Sequence, residues 1–125
     1  MVKTIISAIA AAIILVCGVI YENNFVTKTF DEFDSRLEIL LAKETDKTAT
    51  YDDALSLREF WHDKKKNLHV VIPHTEIKEI DLWLGETVAL TQQENYEEAS
   101  QKIIVLRELC SQIPANFEFK MGNIF

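Results

Sequence analysis

The most constraining feature of the sequence is an uncharged apolar run near its amino terminus. From Thr4 to Tyr21 there are 18 consecutive residues without Asp, Glu, Lys or Arg. As a helix that rises about 1.5 Å per residue, this run covers about 27 Å, close to the roughly 30 Å hydrocarbon thickness of a bilayer. We therefore predict a transmembrane anchor over residues 1–21.

Two alternatives to a retained span are a cleaved signal and a lipidated anchor. Signal cleavage needs small residues at the cut site, whereas the run ends in the mostly bulky stretch from Val16 to Tyr21. Lipidation would use Cys17, but Val16 before it is larger than the residue that usually precedes a lipidated cysteine. The length of the uncharged run and the residues that flank it favour the retained span.

Charges near the run predict its orientation, because Lys and Arg resist translocation. Lys3 precedes the run, and acidic residues such as Glu22 and Asp31 are frequent after it. We expect a single-pass protein of the cell membrane with the amino terminus inside and the rest extracytoplasmic.

The part after Tyr21 holds 12 basic and 20 acidic residues, a formal charge of −8. A nucleic-acid partner is excluded on this basis, because binding to phosphates needs a clustered positive surface. The basic cluster Lys64-Lys65-Lys66 is interpreted as the solvated face of a helix.

Periodic apolar residues after the span predict an all-α domain. Residues 22–50 read as an amphipathic stalk helix and a linker. The helix either continues the span or begins after a break at Asn23-Asn24. Thr50 and Asp53 match a capping box, which predicts the start of the next helix. The apolar stripe of the stalk is Phe30, Phe33, Leu37, Leu40 and Leu41.

Residues 51–113 carry three more stripes, which predict a small antiparallel bundle of three to four helices together with the stalk. Pro73 ends the first of these helices, since proline lacks a backbone donor, and the next begins at His74 or Thr75. Asp81 is expected to face away from the core. The stripes are Ala54, Leu57, Trp61, Leu68 and Val71, then Ile77, Ile80, Leu84, Val88 and Thr91, then Tyr96, Ala99, Ile103, Leu106, Cys110 and Ile113.

Residues 114–125 differ, because their apolar side chains alternate with polar ones. This pattern predicts an extended tail, which either covers the open end of the bundle or adds to a partner's groove or sheet edge. The candidate partner contacts are Phe117, Phe119, Ile124 and Phe125.

No residue pattern in the sequence indicates catalysis. His62 and His69 are two helical turns apart, roughly 10 Å, too far to share one metal ion. Adjacent acidic pairs such as Glu97-Glu98 diverge on a helix, and no nucleophile–base pattern or phosphate-binding loop is found. We therefore expect a protein that is not an enzyme and that holds no metal or cofactor.

Together these features resemble a family of small single-pass membrane proteins of unknown function from spore-forming Gram-positive bacteria. The resemblance covers nearly the whole chain, and it rests on the apolar run, the helix around Trp61, the Pro73 to Ile77 segment, the Tyr96 to Ile113 helix and the Asn123-Ile124-Phe125 ending.

The resemblance also points to particular residues and a partner. The family has a histidine followed by an acidic residue at the positions of His74 and Glu76, which makes these two the candidate functional residues. The resemblance further implies a multi-pass membrane protein as partner.

The leading hypothesis is a membrane-anchored accessory or interaction protein, and the alternative is an extracytoplasmic sensor or ligand-binding module. Small residues four apart in the span, Ser7 with Ala11 and Ala8 with Ala12, would also permit a homo-oligomer through the membrane.

Overall fold

The computed structural model describes the backbone of residues 1–124 and the side chains of residues 1–117. This part of the chain forms four helices and no strand: α1 (Val2–Thr45), α2 (Tyr51–Leu68), α3 (His74–Gln92) and α4 (Tyr96–Ile124). Helices α1 and α3 each pack against both α2 and α4, which closes an antiparallel bundle. The all-α class and the bundle of three to four helices are confirmed.

Helix α1 runs through the apolar run and into the bundle without interruption. It is 44 residues long and does not break at Asn23-Asn24. Its apolar part has a mean hydropathy of 2.5 over 18 residues and is not buried against the rest of the chain. By length and composition, this part of the helix can cross a membrane. From Val26 onward the same helix contributes its apolar face to the core.

Trp61 of α2 lies at the centre of the core and is fully buried. Its ring centroid lies 5.2 Å from that of Phe33 and 6.1 Å from that of Phe30, so α2 packs on α1 through aromatic contacts. Burial of each such large side chain stabilises a fold by about 1.5 to 3 kcal/mol. The other side chains with less than 2% exposure include Leu37, Leu68, Ile77, Ile80, Leu84, Ile103 and Leu106.

The start of α2 is the capping box that the sequence predicts. The Thr50 hydroxyl accepts a hydrogen bond from the backbone N–H of Asp53, and the Asp53 carboxylate accepts one from the N–H of Thr50. Lys43 of α1 donates to the same carboxylate at 3.1 Å. The hydrogen bond from Thr50 and then that from Lys43 lower the pKa of Asp53. This box therefore also ties the end of α1 to the start of α2.

Residues 114–124 are helical, so the prediction of an extended tail is wrong over this range. Helix α4 continues through Pro114 to Ile124. Phe117 stands four residues after Ile113 and seven after Cys110, which continues the helical stripe, and its side chain is 7% exposed. Pro114 cannot donate a backbone hydrogen bond to the carbonyl of Cys110. The free energy gained by burial of the Phe117 side chain compensates for this loss.

The expectation that Asp81 faces away from the core is also wrong. Its carboxylate accepts a hydrogen bond from the indole N–H of Trp61 at 2.7 Å, and Lys65 donates to its second oxygen at 3.1 Å. Buried indole N–H groups need an acceptor, and Asp81 of α3 supplies it to α2. Lys65, from the basic cluster assigned to a solvated face, is therefore part of a helix–helix contact.

We expect Asp81→Ala to lower the free energy of unfolding by about 1 to 3 kcal/mol, because it leaves the Trp61 N–H without an acceptor. Asp81→Asn keeps an acceptor oxygen and is expected to retain most of the stability. Lys65→Ala removes only an outer ion pair and should cost about 1 kcal/mol or less. Urea unfolding of the full chain in detergent micelles, followed by tryptophan fluorescence, measures all three. Equal losses for Asp81→Ala and Lys65→Ala would contradict this role of Asp81.

Candidate functional site

The candidate residues His74 and Glu76 lie in the first turn of α3. His74 is exposed and Glu76 is half-buried, and within residues 1–117 no hydrogen bond or ion pair joins their side chains. The structure instead brings His74 close to His69, with 5.5 Å between the ring centroids. Sequence spacing did not indicate this pair, because the chain reverses at Pro73 between them.

Both imidazoles lie at the end of the bundle that adjoins the apolar part of α1, which we call the near end. It is defined by a cavity of about 320 Å³ lined by Tyr21, Glu22, Phe25, Asn67, Val70 and Val71. In the described part of the chain, no three His, Cys, Asp or Glu side chains converge in a way that could hold a metal ion.

The candidate partner contacts separate into two groups. Phe117 is buried in the core, so its side chain is not free to contact a partner in this conformation. The side chains of Phe119 and Ile124 and the whole of Phe125 lie outside the described residues. A contact through these three remains a prediction.

A groove of about 680 Å³ lies between α1 and α4 and contains Arg107. The Arg107 guanidinium donates to both carboxylate oxygens of Asp34, with distances of 3.0 and 3.5 Å, and lies 3.9 Å from a Glu38 oxygen. Two carboxylates therefore neutralise the cation of the groove. The bidentate ion pair between Arg107 and Asp34 joins α4 to α1.

The charged group that the sequence analysis missed is Glu44, near the carboxyl end of α1. It is 1% exposed, and its Oε1 accepts a hydrogen bond from the Thr91 hydroxyl of α3. Its Oε2 is buried without a hydrogen-bond partner among the side chains described. The sequence spacing could have predicted its burial, because Glu44 follows Leu37 by seven residues and Leu40 by four, and so continues the core stripe.

Burial changes the protonation of Glu44. Removal from water raises its pKa above the ordinary value of 4.5, the hydrogen bond from Thr91 opposes the rise, and the negative charge of Asp53 adds to it. A cavity of about 420 Å³ lies beside this carboxyl, between the end of α1 and the start of α4. The bundle therefore favours a neutral carboxylic acid at a position that could hold a charge.

Comparison with known proteins gives one result. A family model described as a domain of unknown function (DUF4363) matches residues 20–124. The match begins at the end of the apolar run and includes the whole bundle. No match to the chain was found among curated proteins or among solved structures.

We expect Glu44→Gln to stabilise the bundle at neutral pH, because glutamine resembles the protonated acid and cannot ionise. As the pH rises above about 4.5, the unfolded chain loses the Glu44 proton before the folded chain does. The free energy of unfolding therefore falls through this window up to the raised folded pKa. The gain from Glu44→Gln should grow as the pH rises through this window and should vanish near pH 4.

Urea unfolding of the full chain in micelles from about pH 4 to about pH 8 measures this difference. Glu59→Gln, at an exposed position of α2, is the matched control, and its effect on the free energy of unfolding should depend little on pH. A Glu44→Gln variant that is less stable than the wild type at neutral pH would contradict the preference of the folded bundle for the neutral acid.

Proposed function

The chain belongs to the DUF4363 family, a family of unknown function, and we propose that it is a membrane-anchored accessory protein. In this proposal residues 4–21 span the cell membrane and the bundle lies outside the cytoplasm. There the bundle binds a second protein of the membrane or envelope. The partner that we favour is a multi-pass membrane protein.

The observation that carries this proposal is the continuity of α1. The helix that can cross a membrane is also the first core helix of the bundle, with no linker between the two parts. A bundle attached in this way stays at the membrane and cannot swing on a flexible linker. It is held at a fixed height above the bilayer, as an interaction module for a neighbouring membrane protein requires.

The polar groups of the bundle support a binding role more than a chemical one. Arg107 is paired with Asp34 and Glu38, and Asp81 with Trp61 and Lys65, so these groups join helices. Glu44 differs from these groups, since one of its oxygens, like Asn23 Oδ1, is buried without a hydrogen-bond partner in the described structure. It is the observation that favours the alternative, a sensor or ligand-binding module.

Affinity purification from gently solubilised membranes tests the accessory role. We compare the intact chain with one that ends after Phe117, which keeps every described core side chain and removes residues 118–125. We expect a membrane protein to co-purify with the intact chain. Loss of that protein on shortening would assign the contact to the carboxyl-terminal segment, and retention would assign it to the bundle or the span.

Two controls belong to this experiment. The melting temperature of the shortened chain checks that its bundle is folded, and replacement of residues 4–21 by an unrelated apolar span separates contacts of the span from those of the bundle. If neither chain captures a partner, the accessory role is contradicted and a search for ligands of the Glu44 region replaces it.

The orientation is tested by cysteine labelling in intact cells. Gln93 lies at the end of the bundle away from the span and is exposed, so Gln93→Cys offers a reactive thiol there. Burial raises the pKa of the native Cys110 thiol, which keeps it unreactive. We expect a membrane-impermeant maleimide to label Gln93→Cys before permeabilisation, and the parent chain to stay unlabelled. Labelling only after permeabilisation would place the bundle in the cytoplasm.

A further inference from the structure

The near end of the bundle lies at the level where the apolar part of α1 stops. Tyr21, the last residue of the uncharged run, lines the same cavity as Val70 and Val71 of the α2–α3 connection. Because α1 has no break between Tyr21 and the core, this height is fixed by the helix itself. If residues 4–21 span the bilayer, the α2–α3 connection is held against the membrane surface.

Two large apolar or aromatic side chains are exposed at this level, beside polar ones such as His69 and His74. Val70 is 81% exposed and Tyr21 is 73% exposed. Tyr side chains are enriched at the membrane–water interface, where the ring meets acyl chains and the hydroxyl meets headgroups. Val70 stands on a turn between two helices, where no other element of the described structure covers it. Contact with lipid would remove this side chain from water at no cost to the fold.

One basic side chain beside Val70 suits the same surface. Lys66 lies one helical turn before Val70 in the last turn of α2, whereas the Lys64 ammonium lies 5.7 Å from the centroid of the Phe60 ring, one turn farther from the near end. Among the described side chains, neither lysine forms an ion pair. Long lysine side chains can lie along an apolar surface and place their ammonium group among headgroups. Glu76 and Asp63 are the acidic residues closest in sequence to Val70, Glu22 directly follows Tyr21, and screening limits the reach of the acidic charges farther away.

We propose that the α2–α3 connection is a second membrane contact, in which Val70 enters the headgroup–acyl boundary and Lys66 binds anionic headgroups. This inference rests on the proposed membrane anchor and extends it. The bundle then stands on the bilayer at two points, the span and the α2–α3 connection. The second point fixes the rotation of the bundle about α1, and so decides which of its faces a neighbouring membrane protein meets.

The test places a fluorophore at each end of the bundle in the full chain. Val70→Cys and, as matched control, Gln93→Cys are made in a Cys17→Ala background, labelled with an environment-sensitive nitrobenzoxadiazole, and reconstituted in vesicles of phosphatidylcholine and phosphatidylglycerol in equal parts. A lipid nitroxide near the top of the acyl chain is the quencher. We expect it to remove about half of the emission at position 70 and about a tenth or less at position 93.

Three further outcomes separate the proposals. If quenching at position 70 is as weak as at position 93 while the chain resists extraction by alkaline carbonate, the lipid contact is overturned and the anchor stands. If carbonate extracts the chain, the anchor fails, and this inference fails with it. If position 70 is shielded from aqueous iodide but not quenched by the lipid nitroxide, a second copy of the chain covers it instead of lipid, and cross-linking through the same cysteine identifies that copy. Unchanged helical circular dichroism confirms that both variants are folded.

Discussion

Helix α1 has to satisfy two different environments along one continuous backbone. Its first part presents apolar side chains in every direction, and within the fold none of them is buried. Its second part presents an apolar stripe to α2 and α4 and polar groups to water. A helix meets both demands because its backbone hydrogen bonds are internal, so it needs nothing from lipid or water except a match to its side chains. The position of every other helix follows from this one, since α2 and α4 pack directly on it.

The bundle is joined by polar contacts as well as by its apolar core. Each links a different pair of helices: Trp61 with Asp81, Glu44 with Thr91, and Asp34 with Arg107. Such contacts contribute little net stability when they lie near the surface, but they fix the height at which one helix packs against the next. The Glu44 contact differs, because a carboxyl with one unpaired oxygen inside a bundle lowers the stability of the folded state at neutral pH.

The two ends of the bundle differ in the side chains that they carry. The near end combines exposed Val70 and Tyr21 with lysines at the end of α2 and the His69–His74 pair. The opposite end holds the α1–α2 and α3–α4 connections, the capping box of Thr50 and the buried Glu44. In the proposed arrangement the first end faces the bilayer and the second end faces away from it. This difference between the two ends supports the proposed accessory role.

By itself, the sequence determined the apolar run, the helical class, the cap of α2 at Thr50, the start of α3 at His74 or Thr75, and most of the apolar core. These are local properties, because periodicity and capping depend on residues within a few turns of each other. The sequence pattern wrongly predicted an extended segment after Pro114. Phe117 fits both the alternating pattern of a strand and the apolar stripe of α4, so the pattern could not separate the two. Only the tertiary structure decided that Asp81 accepts from Trp61, that His69 meets His74, that Arg107 pairs with Asp34, and that Glu44 is buried against Thr91. Periodicity tells which face of a helix turns inward, but the partner on the facing helix depends on how the helices are brought together in space.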